Sequence, residues 1–424
     1  MKHIELLAPA GDLSKLKYAI EYGADAVYLG VPDFSLRVRI NKFGEKEIAE
    51  AVGYAHKLGK KVYVTLNIYA HNRHLESVKK HLGFLKRLEK SGCGGVDAVI
   101  VSDPGIMNLC KKYLPETDIH LSTQANATNV EAVKFWRDAG VKRVILAREV
   151  ALEEIREIGK KAKGIELEVF VHGAMCMSYS GRCILSQWMT SRSANLGDCA
   201  QPCRWGYHET RNTKHETKEI SVVDDQRRYG MDVEEDRHGT YFFNSYDLNL
   251  IEYVPELIGA GVTSLKIEGR AKSAYYAAVA TRAYREVIDG VENKISEKEL
   301  TKVIKNQKAE LDNLANRGYT TGFLLGGEPE HNFSGQIKKG KSEFVGETVG
   351  TENNLDIVRV HNAVFLKDKV EAVTPEGNVA VKIKRILDDK KQEVTEAHGG
   401  HSRKYYFEFD KSLPERSLIR KKRL

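Results

Sequence analysis

Residues 4–30, IELLAPAGDLSKLKYAIEYGADAVYLG, carry one full copy of the pattern that decides the fold. An apolar run opens at Ile4. LSKLKYAIEYG follows, with apolar residues at steps of three and four, and a second apolar run, AVYLG, begins at Ala26. Two parallel strands joined by an amphipathic crossover helix read this way. The pattern continues through KVYVTLN from Lys61, AVIVSD from Ala98, IHLSTQ from Ile119, RVILARE from Arg143, LEVFVHG from Leu167 and SLKIEG from Ser264, with helical stretches such as EKEIAEAVGYAHKLG between them. Eight strand-helix units predict an α/β fold of the TIM-type (β/α)8 barrel. An open doubly wound sheet shares the pattern, and strand count alone does not choose closure.

About 90 residues separate the seventh and eighth strands, far more than a crossover needs. The excess, placed at about 174–240, begins directly after VHG, so it is expected to lie over the barrel mouth, where the strand-to-helix loops open. Its part from residue 208 to 240 is highly polar and reads as an exposed hairpin or loop. The insertion holds Cys176, Cys183, Cys199 and Cys203, spaced C-x6-C-x15-C-x3-C. Four thiolates so grouped suit an iron–sulfur cluster or a zinc ion, although the C-x2-C knuckle of structural zinc sites is missing; unpaired structural thiols are the third reading. Disulfides need an oxidising compartment, and MKHIELLAPAGD has no basic segment followed by a long apolar one, so the chain reads as cytoplasmic. Cys93 and Cys110 lie far from this group and read as buried small hydrophobes.

A charged helical connector, 291–331, follows the barrel of residues 1–290. From 332 to 424 the pattern changes to short alternating strands, among them DIVRVHNAVFL, KVEAVT, VAVKIKRIL and KYYFEFD, which predict a small β-barrel or sandwich. The closing RSLIRKKRL is basic, and reads as a solvated terminus or a phosphate contact. Gly335, Gly340, Lys341 and Ser342 in GQIKKGKS match the G-x4-G-K-S nucleotide-binding pattern. Context rejects it, because no buried strand precedes the motif and no helix follows it.

Alternation within the strands singles out candidate site residues. In KVYVTLN, Val62, Val64 and Leu66 share one face and leave Tyr63, Thr65 and Asn67 on the other. The corresponding polar sets are His120, Ser122 and Gln124; Glu168 and His172; and Lys266, Glu268 and Arg270. Asn67, Gln124, His172 and Glu268 fall at or near carboxyl ends of strands, where barrel enzymes place catalytic groups. Each could equally be a hydrogen-bonded structural residue. Arg148, Lys266 and Arg270 fit clamps for carboxylate or phosphate, or ordinary ion-pair partners.

Of 424 residues, 42% are hydrophobic and 29% charged, and no apolar run is long enough to span a bilayer, so no membrane partner is expected. The net charge of +7 permits a polyanionic partner without requiring one.

LLAPAGD, GADAVYLG, EVFVHGAMCMSYSGRC, GDCAQPCRW, YFFNSYDLNLI, SLKIEGR and RGYTTGF stand in this order along nearly the whole chain. In these blocks the sequence resembles the collagenase-like peptidase family of unknown catalytic type, number thirty-two of its class. Several members look like oxygen-independent hydroxylases of transfer RNA, ribosomal RNA or a quinone precursor, with prephenate as hydroxyl donor. The resemblance implies a four-iron four-sulfur (4Fe-4S) cluster on Cys176, Cys183, Cys199 and Cys203. The C-x3-C ending is similar to that of the transfer-RNA branch, so the expected activity is hydroxylation of the wobble uridine of transfer RNA at carbon five. The resemblance also makes the β-rich domain a candidate for holding RNA, and leaves open a paralogous partner chain. Two other readings stand beside it: a collagenase-like peptidase, and an RNA-binding or scaffold protein with a structural cluster.

Overall fold

The structure, a computed structural model, describes residues 3–31, 42–92, 94–176, 178–205, 245–327, 337–400 and 403–423, with backbone strands at intervals between 207 and 240. Cys93, Gly335 and the boundary expected near residue 332 lie outside these residues.

Eight parallel strands close on themselves: β1 Glu5–Ala10, β2 Ala26–Gly30, β3 Lys61–Leu66, β4 Ala98–Val101, β5 Asp118–Leu121, β6 Arg143–Ile145, β7 Glu166–Ala174 and β8 Ser264–Ile267. Neighbours pair in chain order, and β8 pairs with both β1 and β7, which decides for the barrel over the open sheet. Helices α1 Leu13–Glu21, α2 Glu45–Lys57, α3 Leu75–Glu89, α4 Pro104–Tyr113, α5 Val130–Asp138 and α6 Leu152–Lys161 follow β1 to β6, and α8 Val254–Gly259 and α9 Ala274–Glu292 flank β8. A further helix, α7 Leu185–Thr190, belongs to the insertion. Several helices start at capping residues in the loops of the mouth: Asp12, Asp103, Asn129 and Ser273 each accept a backbone N–H from the first turn. Such a cap is worth about 1 kcal/mol and fixes where the strand-to-helix loop ends.

Alternation sorts the strand residues as expected. Val62, Val64 and Leu66 join the large core between strands and helices, whereas Tyr63 joins Leu7, Tyr28, Ile100 and Ile145 in a small apolar cluster inside the barrel. Below that cluster lies a buried charge network. Glu5 and Glu168 flank Arg143, and the Arg143 guanidinium also reaches Glu166 at 2.8 Å. Tyr63 donates to Glu5 at 2.6 Å, and Lys266 Nζ lies 2.9 Å from Glu168 Oε1. His120, edge-on to Tyr63, is held well below the usual imidazole range by burial and by the cations Arg143 and Lys266.

The insertion after β7 includes an antiparallel pair, Tyr207–Arg211 with Ile220–Asp224, so the polar stretch does contain a hairpin. The chain then returns through Asp247–Asn249, which runs antiparallel to the end of β7. Helix α10, Glu297–Leu311, packs on α9 and leads to the C-terminal domain. There, six antiparallel strands close into a second, smaller barrel: Ser342–Glu352, Leu355–Val360, Tyr405–Phe409, Gly377–Leu387, Lys369–Thr374 and Leu418–Lys422. It docks on the outside of α1, α9 and α10. Tyr22 donates to the carbonyls of Val373 and Arg416, Arg282 donates to that of Thr374, and Tyr275 stacks on Phe344.

The basic C-terminal stretch is not a solvated tail. Leu418–Lys422 is an internal strand of this barrel, and Arg420 is buried between Glu310 and Glu371. Leu418, Ile419 and Arg420 are all buried because the strand is covered on both faces: Ile419 joins the core of the small barrel, Leu418 joins the large core, and the buried arginine finds two carboxylates. Lys341 of the rejected nucleotide motif pairs with Asp312, and Ser342 opens a strand. Among the described residues, no helix is long and apolar enough to cross a membrane.

Candidate active site at the barrel mouth

A cavity opens at the carboxyl ends of the strands. Its floor and walls are Tyr28, Thr65, Asn67, Ile100, Ser122, Gln124, Ile145, Phe170, Lys266, Glu268 and Arg270. Its roof is the insertion, which contributes all four clustered cysteines.

Local backbone features aim these residues. β3 carries Thr65 inward, and Asn67 follows directly beyond its end. β5 stops at Leu121, earlier than expected; a short 3-10 turn, Thr123–Ala125, brings Gln124 into the cavity, with Ser122 capping it and Asn126 left-handed behind it. Glu268 and Arg270 follow β8 where two glycines admit close backbone packing. A Cβ on Gly11 would lie 2.1 Å from the Arg270 carbonyl oxygen, and one on Gly173, whose φ is +105°, would lie 2.3 Å from that of Glu268.

The charged side chains of the cavity are already engaged. Tyr28 donates to a Glu268 carboxylate oxygen at 3.1 Å, Arg270 Nη1 donates to Thr65 Oγ1 at 3.2 Å, and Arg148 lies 4.0 Å over the Phe170 ring. Lys266, also within the cavity lining, is committed to Glu168, and burial lowers its pKa against that carboxylate's pull. The dull reading of Lys266 as an ion-pair partner thus holds alongside its place in the cavity. Asn67, Gln124 and Glu268 are brought together with Arg148, Lys266 and Arg270.

His172 is the exception. In a regular strand Glu168, Phe170 and His172 would share one face, but the register with β8 slips: Lys266 lies opposite Phe170 and Ile267 opposite His172. This bulge puts one extra residue into β7 and turns His172 outward, away from the cavity. Its ring is packed among Tyr276, Tyr284 and Tyr319, and burial lowers its pKa to about 4. The expected convergence of four polar groups on one rim is therefore corrected to three.

The insertion is tied to the loops beneath it. Ser180, at φ 48°, donates its N–H to Glu149 at 2.7 Å and its hydroxyl to Asn126 at 2.7 Å. Arg182 donates to the Gln124 carbonyl at 2.8 Å, and Tyr69 N–H to the Asn195 carbonyl at 3.0 Å. A left-handed serine is strained, and here hydrogen bonds to two side chains, Glu149 and Asn126, hold Ser180 in place. Glu149, Asn126 and Arg182 were not singled out from sequence. Their signal was faint: a carboxylate just past β6 and an arginine beside Cys183.

None of Cys176, Cys183, Cys199 and Cys203 is joined in a disulfide, and each is partly exposed and lines the cavity. Within the insertion, Cys183 N–H is held by the Asn195 side chain at 3.1 Å, and Gln201 N–H donates to Cys199 Sγ at 3.3 Å. Among the described residues, no three His, Cys, Asp or Glu side chains are drawn together tightly enough to hold a single metal ion. Cys110 is buried, as expected, and burial pushes its thiol up to about 12.

These features define a (β/α)8 protein whose polar cavity is roofed by four thiols and whose flank carries a small antiparallel barrel. The chain belongs to peptidase family U32: that family's model matches residues 11–333, and the model of its C-terminal domain matches residues 341–420. It is 41% identical to the Haemophilus influenzae protein named tRNA hydroxylation protein P, over 94% of this chain and 92% of that one. It is 39% identical to the Bacillus subtilis protein named tRNA hydroxylation protein P1, over 99% of this chain and 95% of that one. An Escherichia coli 23S rRNA 5-hydroxycytidine C2501 synthase is 39% identical over 68% of this chain and 40% of its own length.

Proposed function

We propose that this chain is an RNA-modifying enzyme that hydroxylates the wobble uridine of transfer RNA at carbon five. Prephenate is the hydroxyl donor and a 4Fe-4S cluster sits in the roof. The observation that carries this reading is a cavity at the barrel mouth in which four cysteines, none in a disulfide, face a charged and polar barrel floor. The names of the relatives point the same way.

The donor set fits a cluster. Four soft ligands come from one insertion, and each thiolate of a four-iron cluster binds its own iron, so the sulfurs need not meet at one point as they must around zinc. Cys176, Cys183, Cys199 and Cys203 would hold it, and once bound it supplies a redox-active, Lewis-acidic centre at the cavity mouth. Arg148 and Arg270 are the groups suited to a dicarboxylate donor, with Lys266 adding positive potential from below. Glu268, held by Tyr28, is placed to exchange a proton with a bound substrate.

Two measurements test the proposal. Transfer RNA from a strain lacking the gene, digested and analysed by mass spectrometry, should lose hydroxyuridine and its derivatives; unchanged levels in the absence of a second such gene refute the activity. Anaerobically purified protein should contain iron and acid-labile sulfide in near-equal amounts.

The family's peptidase name supports a second reading, in which a cavity thiol attacks an amide. A thiolate bound to a cluster is not free to do so. Peptide cleavage by homogeneous protein, abolished in Cys176→Ser, would favour the peptidase over the hydroxylase.

A further inference from the structure

The cavity has two walls of different chemistry. One is ionic: Lys266, Glu268 and Arg270 from β8, with Arg148 beside them. The other, built at the ends of β3 and β5, contains only neutral polar groups, among them Thr65, Asn67, Ser122 and Gln124. Gln124 is 1% exposed, and among the described residues neither its Nε2 nor its Oε1 has a hydrogen-bond partner. Asn67 is 7% exposed; its Nδ2 approaches Ser122 Oγ at 3.4 Å, and its Oδ1 has no partner. Folded interiors seldom leave such groups unmet, and these line a cavity, so the partner that satisfies them is one that enters it.

The unmet groups describe that partner. An anion would satisfy Gln124 Nε2, but it would face two acceptor oxygens, Gln124 Oε1 and Asn67 Oδ1. What fits is a neutral planar group that presents donors and acceptors side by side. The edge of a pyrimidine base does this, and a carboxamide pairs with such an edge through two hydrogen bonds. Enzymes that modify a base draw it out of its stack and read it along that edge.

We propose that Gln124 and Asn67 form a base-reading subsite, which holds the edge of a single extruded pyrimidine of the RNA substrate and leaves the ionic wall to the anionic co-substrate. The inference rests on the RNA-modifying reading above and adds to it the division of the cavity into two pockets.

The test uses full-length, anaerobically purified protein and an anticodon stem-loop RNA carrying either uridine or an abasic residue at the target position, with binding read by fluorescence anisotropy. Wild-type protein should prefer the uridine RNA by about tenfold, the scale of one bidentate base contact. Gln124→Met, similar in size but without hydrogen-bonding atoms, should abolish that preference and leave affinity for the abasic RNA unchanged. The same variant should melt at the wild-type temperature or above, because a partnerless amide gives up nothing on removal. Three results overturn the inference: no uridine preference in the wild type, a preference that survives Gln124→Met, or a melting temperature several degrees lower, which would mark Gln124 as structural. Mass spectrometry of cellular RNA decides the modification reading separately, so a strain comparison that shows hydroxylation while Gln124→Met keeps its preference removes the subsite alone.

Discussion

Lys266 Nζ lies 2.9 Å from Glu168 Oε1 in the centre of the barrel, and neither side chain has meaningful contact with solvent. The other Glu168 oxygen lies 3.1 Å from Arg143 and accepts from Ser264 at 3.1 Å. This carboxylate joins the floor of the cavity to the network beneath it. Removing it leaves two buried cations with one fewer counter-charge.

Glu168→Ala should therefore destabilise the protein by about 3–5 kcal/mol, the scale for breaking a buried pair. Lys266→Met alone should also destabilise it, and the double variant should lose less than the sum of the two by about 1 kcal/mol or more, because the second change removes the charge stranded by the first. Urea denaturation of the four proteins measures the coupling. Additive losses would mean that the two groups do not depend on each other.

The four cysteines of the roof are expected to act as a set. Serine at any one of Cys176, Cys183, Cys199 or Cys203 should lower the iron content of anaerobically purified protein severalfold and bleach its visible absorbance. Cys110→Ser should keep the wild-type iron content, since that thiol is sealed in the core between helix and strand. Iron that is indifferent to all four substitutions would remove the cluster from the proposal.

The eight strand-helix units and the position of the insertion were legible in the sequence because both follow from the spacing of apolar runs, whereas closure was decided by the pairing of β8 with both β1 and β7. Alternation marked which residues of KVYVTLN face in, and about 90 residues between the last two strands left room for a roof. The outward turn of His172 was not legible, because it depends on the register of β7 against β8, two strands far apart in the chain, and a one-residue slip reverses a face. Gln124 reached the cavity by a different route from the one expected, through a 3-10 turn after a strand that ends at Leu121. The tail was misread for a related reason. RSLIRKKRL is dense in charge, yet its burial is set by partners such as Glu310, about a hundred residues earlier in the chain.

Arg148 and Arg270 make separable predictions. The Arg270 guanidinium reaches Thr65 on the opposite wall, so Arg270→Lys should lose this fixed geometry and weaken use of a dicarboxylate donor about tenfold, mainly through KM. Arg148 rests on the Phe170 ring and, among the described residues, forms no ion pair with a carboxylate, so Arg148→Ala should raise the KM for the donor with little effect on the affinity for RNA. Steady-state kinetics with the donor varied at saturating RNA separates the two. A fall in kcat alone, at unchanged KM, would place these arginines outside donor binding.

His172 gives a stability prediction whose sign follows from burial. The folded ring takes up its proton only near pH 4, whereas the unfolded ring titrates near 6.5, so between these values the unfolded chain binds more protons. The neutral ring's contribution is complete above pH 6.5 and is lost as the pH falls to about 4, for a total of about 3 kcal/mol at 1.36 kcal/mol per pH unit. His81, also lowered to about 4 by burial, adds a loss of the same sign, and Asp356, raised to about 6, works in the opposite direction. Both are common to wild type and variant, so they cancel in a difference. His172→Phe keeps an aromatic ring among Tyr276, Tyr284 and Tyr319 and removes the titration. The stability gap between wild type and His172→Phe, measured by urea denaturation at several pH values, should move in the variant's favour as the pH is lowered from 6.5 to 4 and should be flat above 7. A gap that stays constant throughout would mean that the ring titrates alike in both states and has water or a compensating carboxylate within reach.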